Sequence, residues 1–229
     1  MNFDSFVLAA ATADLEDAGA ATPHADAVEF RMDMASEPLD AIERFDGSLP
    51  IIATNRVVWE GGDTPDVPAR VESLAEAARS EQVGAVDVEL AALEGRGDND
   101  AGEIIEVAAA NDVAVIVSTH DFETTPSRDG MADRLELAAE YGDVGKLAVT
   151  AQNPDDVLDL LRITREVSKS GHHVASMAMG EAGRHSRAVA PLYGSKIGYA
   201  PVDPAGATAP GQYDLATLRG LIDDLQSRA

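Results

Sequence analysis

The stretch "GKLAVTAQNPDDVLDLLRITREV", residues 145–167, contains the repeating unit that decides the fold. Its first part is an apolar run typical of a buried strand. Its second part begins a helix, with Asn153 as the N-cap and Pro154 in the first turn. Val157 and Leu160 then recur at helical spacing on one face. The stretch therefore predicts one strand followed by one amphipathic helix.

Seven further apolar runs flank this unit, and segments with helical spacing separate them. The eight predicted strands are "FVLAA" (6–10), "AVEFRM" (27–32), "PIIATN" (50–55), "AVDVEL" (85–90), "VAVIVS" (113–118), "KLAVTA" (146–151), "VASMAM" (174–179) and "KIGYA" (196–200). Eight strand–helix units favour a closed (β/α)8 TIM barrel of the α/β class over a doubly wound sheet, which more often has about five or six strands. No linker or change of composition divides the chain, so residues 1–229 are expected to form a single catalytic domain.

The net charge of the chain limits the classes of partner that it is expected to bind. With 41 acidic and 17 basic side chains, the formal net charge is −24. Such a surface repels nucleic acid and anionic lipid, so neither a nucleic-acid nor a membrane partner is expected. Only Lys146, Lys169 and Lys196 are lysines, and the other basic residues are arginines. This composition favours adaptation to concentrated salt, where screening suppresses self-repulsion, over an ordinary acidic cytosolic protein.

The absence of cysteine limits the chemistry that the chain can perform. Disulfides, thiolate nucleophiles and cysteine-bound metals are all excluded. The first residues lack the basic segment of a secretory signal, and no apolar run approaches the roughly 18 residues of a membrane span. A cytoplasmic location is therefore expected.

Charged side chains cluster at the predicted carboxyl ends of several strands, where TIM barrels build their active sites. These residues are Glu29, Arg31 and Asp33 after strand two, Arg56 and Glu60 after strand three, Asp87 and Glu89 in strand four, and His120 and Asp121 after strand five. One such residue could cap a loop or pair with a neighbour. Charges on four strands are harder to explain structurally, because buried charge is costly unless it is paired or used.

Lys146 is the candidate nucleophile. A lone lysine at a strand end is more often solvated. Here, however, a chain that uses arginine for most of its positive charge places lysine where alternate side chains point into the barrel with Ala148 and Thr150. A primary amine can lose its proton and attack a carbonyl, whereas arginine cannot at accessible pH. The pattern therefore indicates Schiff-base chemistry.

Eight motifs resemble those of one known family, the type I 3-dehydroquinate dehydratases of the shikimate pathway. In order along the chain they are "EFRMD", "NRVVWEGG", "STHDFETTP", "GKLAVTAQ", "SMAMG", "GRHSR", "YGS" and "APGQ". Each motif alone is weak, but the order and spacing of the set cover nearly the whole chain.

The resemblance implies a (β/α)8 barrel that converts 3-dehydroquinate to 3-dehydroshikimate and water through an imine, without a metal or diffusible cofactor. It implies that Lys146 forms the imine, that His120 moves the protons and that Glu60 orients the imidazole. The substrate-binding residues that it implies are Glu29, Arg31, Arg56, Arg187, Thr208 and Gln212. Arg187 suits the substrate carboxylate, since its guanidinium can donate two parallel hydrogen bonds.

Three features depart from the family pattern. Thr208 stands where the family often has serine, and the loop "APVDPAGATAPGQ" that contains it is longer than expected. The segment before strand one is short, which leaves little room for the hairpin that closes the barrel bottom in some members. The contacts of the lid over residues 201–212 and the closure of the bottom are therefore left open.

Three other functions compete with this interpretation. A class I aldolase-type barrel needs the same lysine, but no convincing glycine-rich phosphate loop follows strands seven or eight. A metal-dependent barrel could use Glu29, Glu89 and His120, although no paired histidines accompany them. A non-catalytic barrel could act as an interaction protein, which the set of Glu60, His120 and Lys146 opposes. The sequence does not fix the oligomeric state, and a homodimer is one possibility.

Overall fold

The computed structural model describes residues 1–96, 101–203, 209 and 211–227. Its eight strands are β1 Val7–Thr12, β2 Ala27–Arg31, β3 Ile51–Thr54, β4 Val83–Glu89, β5 Ala114–His120, β6 Val144–Thr150, β7 Val174–Met179 and β8 Ile197–Pro201. Each overlaps one of the eight predicted strands. The predicted α/β class and (β/α)8 barrel are thus confirmed.

The strands form one parallel sheet in the order β7-β6-β5-β4-β3-β2-β1-β8, so strands that are consecutive in the chain are also neighbours in space. Strand β1 pairs with β2 on one side and with β8 on the other. Between β7 and β8 the backbone of Lys196 donates to the carbonyl of Val174 at 2.7 Å, and Val174 and Ser195 form a parallel bridge. These contacts bring the two ends of the sheet together into a nearly closed barrel.

Helices lie outside the strands. They are α1 Ala18–Ala21, α2 Pro38–Arg44, α3 Pro68–Ala77, α4 Leu90–Leu93, α5 Gly102–Ala110, α6 Arg128–Tyr141, α7 Pro154–Lys169, α8 Gly180–Gly183, α9 Ser186–Val189 and α10 Leu215–Gln226. Helix α7 begins as predicted, with Asn153 and Asp156 completing a reciprocal capping box. Its residues Val157, Leu160 and Leu161 are buried against the sheet.

Two apolar layers hold the barrel. Outside the sheet, clusters of Val, Leu and Ile join the strands to the helices. Inside it, small residues such as Ala9, Ala27, Ala85 and Ala175 pack with Ile52 and Ile116. The interior is therefore filled by side chains, and polar residues replace the apolar ones near the carboxyl ends of the strands.

The bottom of the barrel is covered by the first residues of the chain. Residues 1–6 form no strand, so no hairpin lies there. Instead Phe3, which is 2% exposed, packs into the interior cluster beside Val7. The amino group of Met1 donates to the carbonyl of Gly84 at 3.3 Å. One aromatic side chain thus fills the end of the barrel opposite the polar side chains.

No helix among the described residues has both the length and the apolar character that a membrane crossing requires.

Candidate active site

Lys146 lies inside the barrel, near the carboxyl ends of the strands. Its side chain is 5% exposed, and its amine donates to Oδ2 of Asp87 at 2.8 Å. Oε1 of Glu29 lies 4.0 Å from the same nitrogen, and the ring centroid of Tyr199 lies 4.2 Å from it. Two carboxylates and an aromatic face therefore surround a buried amine, which fixes its position.

The amine opens into a cavity at the carboxyl end of the barrel. The cavity measures about 520 Å³ including its open mouth. Met177 and Met179 form part of its apolar wall, while the polar part carries the predicted site residues. A cleft lined by apolar walls and a few convergent polar groups is typical of a small-molecule site.

Arg56 occupies the floor of the site between two acidic residues. Its Nη2 donates to Oδ1 of Asp87 at 2.6 Å, and its Nη1 donates to Oε1 of Glu89 at 3.1 Å and to the hydroxyl of Ser118 at 2.8 Å. Burial opposes the charge on Arg56, but Asp87 and Glu89 outweigh it and raise the pKa of the guanidinium. Arg56 is therefore a fixed positive charge.

Asp87 joins Arg56 to Lys146. Its Oδ1 accepts from Arg56 and Ser118, and its Oδ2 accepts from Lys146. Burial opposes ionisation of Asp87, but Arg56 and then Lys146 outweigh it, so the pKa of this carboxyl lies well below its usual range. Asp87 is therefore a permanent anion whose two oxygens hold two cations in place.

His120 ends strand β5 and faces the cavity beside Glu60. Its Nδ1 lies 2.8 Å from Oε2 of Glu60. The register pairs Ser118 with Lys146 and His120 with Ala148, so His120 stands two residues beyond Lys146 toward the mouth. Two strand residues span roughly 6.6 Å, which leaves room for a small ring between the imidazole and the amine.

The electrostatics of this pair favour neutral partners. Burial raises the pKa of Glu60 to about 8, against the opposing effect of Arg56. Burial also lowers the pKa of His120 well below its usual value, and the positive charges of Arg56 and Lys146 lower it further. A neutral imidazole is the form that a general base requires.

Where the proton lies within the pair decides which nitrogen is free. If Glu60 is protonated, its hydroxyl donates to Nδ1 and the ring proton sits on Nε2. If Glu60 is ionised, Nδ1 carries the proton and donates to the carboxylate, which leaves Nε2 as a base toward the cavity. Ionised Glu60 is therefore the state that prepares His120 for proton abstraction.

Trp59 holds the loop after strand β3 in place through two contacts. The guanidinium of Arg96 stacks 4.2 Å from the ring centroid of Trp59, and the indole nitrogen of Trp59 donates to Oδ2 of Asp66 at 3.1 Å. Trp59 directly precedes Glu60, so these contacts hold the segment from which Glu60 reaches His120. On the other side, the ring of Phe122 stacks on His120 with the centroids 5.8 Å apart.

Arg31 and Arg187 bring two further cations to the cavity. Asp33 accepts two hydrogen bonds from Arg31, at 2.9 and 2.7 Å, which fixes the plane of that guanidinium. Arg187 is 4% exposed, and burial lowers its pKa to about 10. Because burial disfavours its charge, an anion bound beside Arg187 would be favoured.

Gln212 reaches the cavity from a segment that packs tightly against helix α8. Its Oε1 accepts from the backbone of Ala209 at 3.3 Å. The preceding Gly211 has φ +78°, and a Cβ atom there would lie 2.5 Å from the carbonyl oxygen of Gly180. Only glycine fits this approach without moving the backbone, so Gly211 sets the position of Gln212.

A model of one enzyme family matches residues 5–228, which is nearly the whole chain. That family is described as type I 3-dehydroquinase. The chain belongs to the type I 3-dehydroquinase family. The resemblance found in the sequence motifs is thereby confirmed, and the family assignment excludes the class I aldolase alternative.

Relatives and solved structures agree with the type I 3-dehydroquinase assignment. The chain is 58% identical to the 3-dehydroquinate dehydratase of Haloarcula marismortui, with 100% of both chains covered. It is 54% identical to that of Halobacterium salinarum, over 99% of this chain and 100% of the relative. Both organisms are halophilic archaea, which fits the adaptation to salt predicted from the composition.

A solved structure supports the same fold for this type I 3-dehydroquinase. The crystal structure of 3-dehydroquinate dehydratase from Geobacillus kaustophilus superposes with a TM-score of 0.85 at 27% identity, over 99% of this chain and 93% of that one.

The structure gathers the site residues predicted from the sequence. The catalytic and substrate-binding residues that the family resemblance implies all line the same cavity where they are described, including Lys146, His120, Glu60 and Arg187. The other candidates at the strand ends do not line it: Asp33, Asp87, Glu89 and Asp121. Thr208 lies outside the described residues, as does half of the predicted lid, residues 204–208 and 210. Across the described ranges no three His, Asp or Glu side chains are grouped as a metal ion would require.

Sequence reasoning understated Asp87 and missed Tyr199. Asp87 was named only among the charged residues of strand four, without a role, yet it bonds directly to Lys146. Its alternation with Glu89 along β4 was the available signal, but the sequence does not show which side chain crosses the barrel. Tyr199 is a single aromatic residue in the strand with the weakest pattern, and no motif marked it.

Proposed function

We propose that the chain dehydrates 3-dehydroquinate through an imine on Lys146. A single observation carries this assignment: a buried primary amine faces a histidine–carboxylate pair across one cavity. An amine in this position can attack a ketone, and a base beside it can remove a neighbouring proton.

The amine of Lys146 adds to the substrate ketone, and the resulting carbinolamine loses water to give the iminium. The iminium withdraws electrons, so the adjacent C–H becomes acidic enough for Nε2 of His120 to take its proton. The electron pair then expels the neighbouring hydroxyl, which leaves as water with the proton that His120 returns. Hydrolysis of the new iminium releases 3-dehydroshikimate and restores the amine.

The other polar residues bind and orient the substrate. We assign Arg187 to the substrate carboxylate, because it is a buried cation that a bound anion would compensate. We assign Glu29, Arg31 and Arg56 to the ring hydroxyls of the substrate. Gln212 would contact the same hydroxyls from the open end of the cavity. The role of Thr208 stays a prediction from the family resemblance.

Borohydride reduction tests the imine directly. Reduction converts an iminium to a stable secondary amine, so substrate plus borohydride should add mass to the peptide that contains Lys146. The peptides with Lys169 and Lys196 serve as internal controls and should stay unmodified. An adduct on either control peptide, or none on Lys146, would contradict the proposed function.

The acid limb of the pH profile should follow Glu60. Because burial raises its folded pKa to about 8, Glu60 ionises only as the pH rises through that value, and Nε2 of His120 becomes free at the same time. We expect kcat/KM to rise with pH up to about 8 and then to level off. Steady-state rates between pH 5 and 10 measure this limb.

The matched variant is Glu60→Gln, whose amide oxygen can still accept from Nδ1 but cannot ionise. The kcat/KM of Glu60→Gln should fall about tenfold or more. This is less than the roughly 10²- to 10⁴-fold that general acid–base catalysis contributes, because His120 is still present. Its acid limb should also shift to lower pH. An unshifted limb would assign the titration to another group.

Gly211→Ala should weaken substrate binding more than turnover. The added Cβ would lie 2.5 Å from the backbone oxygen of Gly180, so the segment with Gln212 must move. We expect KM to rise about tenfold, since small displacements of positioning residues cost up to about 100-fold. Gly220→Ala in helix α10 is the control, because no atom lies within 4 Å of its Cβ position. Equal KM values in the two variants would show that Gln212 does not bind substrate.

The cytoplasmic location and a homodimeric state stay predictions from the sequence. The structure describes one chain, and sedimentation velocity would measure the number of subunits.

A further inference from the structure

Arg70 is a buried cation that lies outside the cavity. It belongs to the first turn of helix α3 and is 1% exposed, on the same buried face as Leu74 and Ala77, although arginine is usually found at the surface. Its Nε and Nη2 atoms are buried and have no hydrogen-bond partner among the described residues. A charge buried with incomplete hydrogen bonding is costly, so its retention calls for a functional explanation.

The contacts of Arg70 lead toward the active site. Its Nη1 donates to Oε2 of Glu89 at 2.9 Å and to the backbone oxygen of Asn55 at 2.9 Å. The backbone oxygen of Arg70 in turn accepts from the side chain of Asn55 at 3.2 Å. Arg70 therefore ties helix α3 to the residue directly before Arg56 and to the last residue of strand β4.

Glu89 carries the connection onward. Its second oxygen, Oε1, accepts from Nη1 of Arg56 at 3.1 Å and from the backbone of Val57 at 3.2 Å. Arg56 bonds to Asp87, and Asp87 bonds to Lys146. Positive and negative charges therefore alternate from the outer helix to the reacting amine, in the order Arg70, Glu89, Arg56, Asp87 and Lys146.

We propose that Arg70 is a positioning residue for the reaction. By holding Oε2 of Glu89, it leaves only Oε1 for Arg56, and Arg56 is then shared between Glu89 and Asp87. This sharing sets where the guanidinium meets the substrate and how Asp87 is presented to Lys146. The inference rests on the proposed function, because it assumes that Lys146 is the nucleophile and that Arg56 binds substrate.

Loss of Arg70 should change the position of Arg56. Glu89 would then be a buried anion with Arg56 as its remaining cation, and attraction between opposite charges is strong where water is excluded. The guanidinium should move toward Glu89 and away from Asp87. Asp87 would then keep its hydrogen bonds with Lys146 and Ser118 but lose the one from Arg56. Both substrate binding and the attack by the amine should become slower as a result.

The test compares Arg70→Met with Arg79→Met. Each removes one positive charge, but Arg79 is half exposed and pairs with Glu76 at the surface. We expect kcat/KM of Arg70→Met to fall about 10- to 100-fold, with slower borohydride trapping on Lys146, while circular dichroism stays unchanged. Arg70→Lys should recover part of the loss, because it restores one charge without the planar guanidinium. Arg79→Met should match the parent protein.

A double-mutant cycle with Glu89→Gln separates positioning from folding. If Arg70 acts through the charge of Glu89, replacing Arg70 should slow trapping much less in the Glu89→Gln background. The cycle stays informative even if Arg70→Met folds poorly. In the double variant, Glu89→Gln removes the buried negative charge that the loss of Arg70 would leave unbalanced. The proposal is overturned if Arg70→Met lowers only the melting temperature, or if its effect on trapping is the same in both backgrounds. Failure of the parent protein to form any adduct would instead reject the proposed function.

Discussion

Lys146→Arg is expected to lose at least about 10⁴-fold in kcat and to form no borohydride adduct. The guanidinium keeps the positive charge between Asp87 and Glu29, so the electrostatic balance of the site is retained. It cannot lose a proton at accessible pH, however, and therefore cannot attack a ketone. Removing the nucleophile of a covalent mechanism typically costs several orders of magnitude. Product absorbance measures turnover, and mass spectrometry after reduction measures the adduct.

Lys169→Arg is the matched control, since Lys169 is an exposed lysine in the last turn of helix α7. It should turn over and form the adduct like the parent protein. Unfolding curves should show that Lys146→Arg stays folded. Near-parental turnover by folded Lys146→Arg would mean that the reaction proceeds without an imine.

His120→Ala should reduce kcat by about 10²- to 10⁴-fold, the range that general acid–base catalysis contributes. The variant keeps Lys146 and the arginines that we propose to bind substrate, so it should still form the imine. Because proton abstraction is slowed after that point, the trapped adduct should accumulate to at least the parental level. Single-turnover mixing followed by borohydride measures the adduct as a function of time.

His24→Ala provides the control, because His24 lies in a turn before strand β2 and does not line the cavity. Its kcat should be unchanged. If His120→Ala instead failed to form the adduct, the histidine would be needed for substrate binding or imine formation, and its assignment to proton transfer would be wrong.

The fold could be predicted because buried parallel strands have a clear apolar signature. All eight strands were found, but apart from β7, whose predicted bounds 174–179 match, most of their ends were not. Strand β5 was predicted to stop at Ser118, whereas Thr119 and His120 continue the ladder with β6. Backbone pairing does not depend on whether a side chain is apolar, so hydrophobicity alone ends a strand too early. The four-residue helices α4, α8 and α9 are too short to show any periodicity.

The sequence motifs predicted candidate residues for the site but not the contacts between them. Motif order identified Lys146, His120 and Glu60, and the structure places all three around one cavity. It could not show that Asp87 reaches Lys146, because β4 and β6 are not neighbours and their side chains meet only across the barrel interior. The burial of Arg70 could not be predicted from the sequence either, since an arginine in an amphipathic helix is usually at the surface.

The position of Trp59 provides an optical probe of the catalytic loop. It is the one tryptophan in the sequence, it directly precedes Glu60, and its ring contacts the guanidinium of Arg96. Indole emission depends on nearby charge and on solvent access, so any movement of this loop would change both intensity and wavelength. Excitation of the indole therefore reports on the surroundings of Glu60 without an added label, and a stopped-flow fluorimeter could follow loop motion and chemistry in the same mixing experiment.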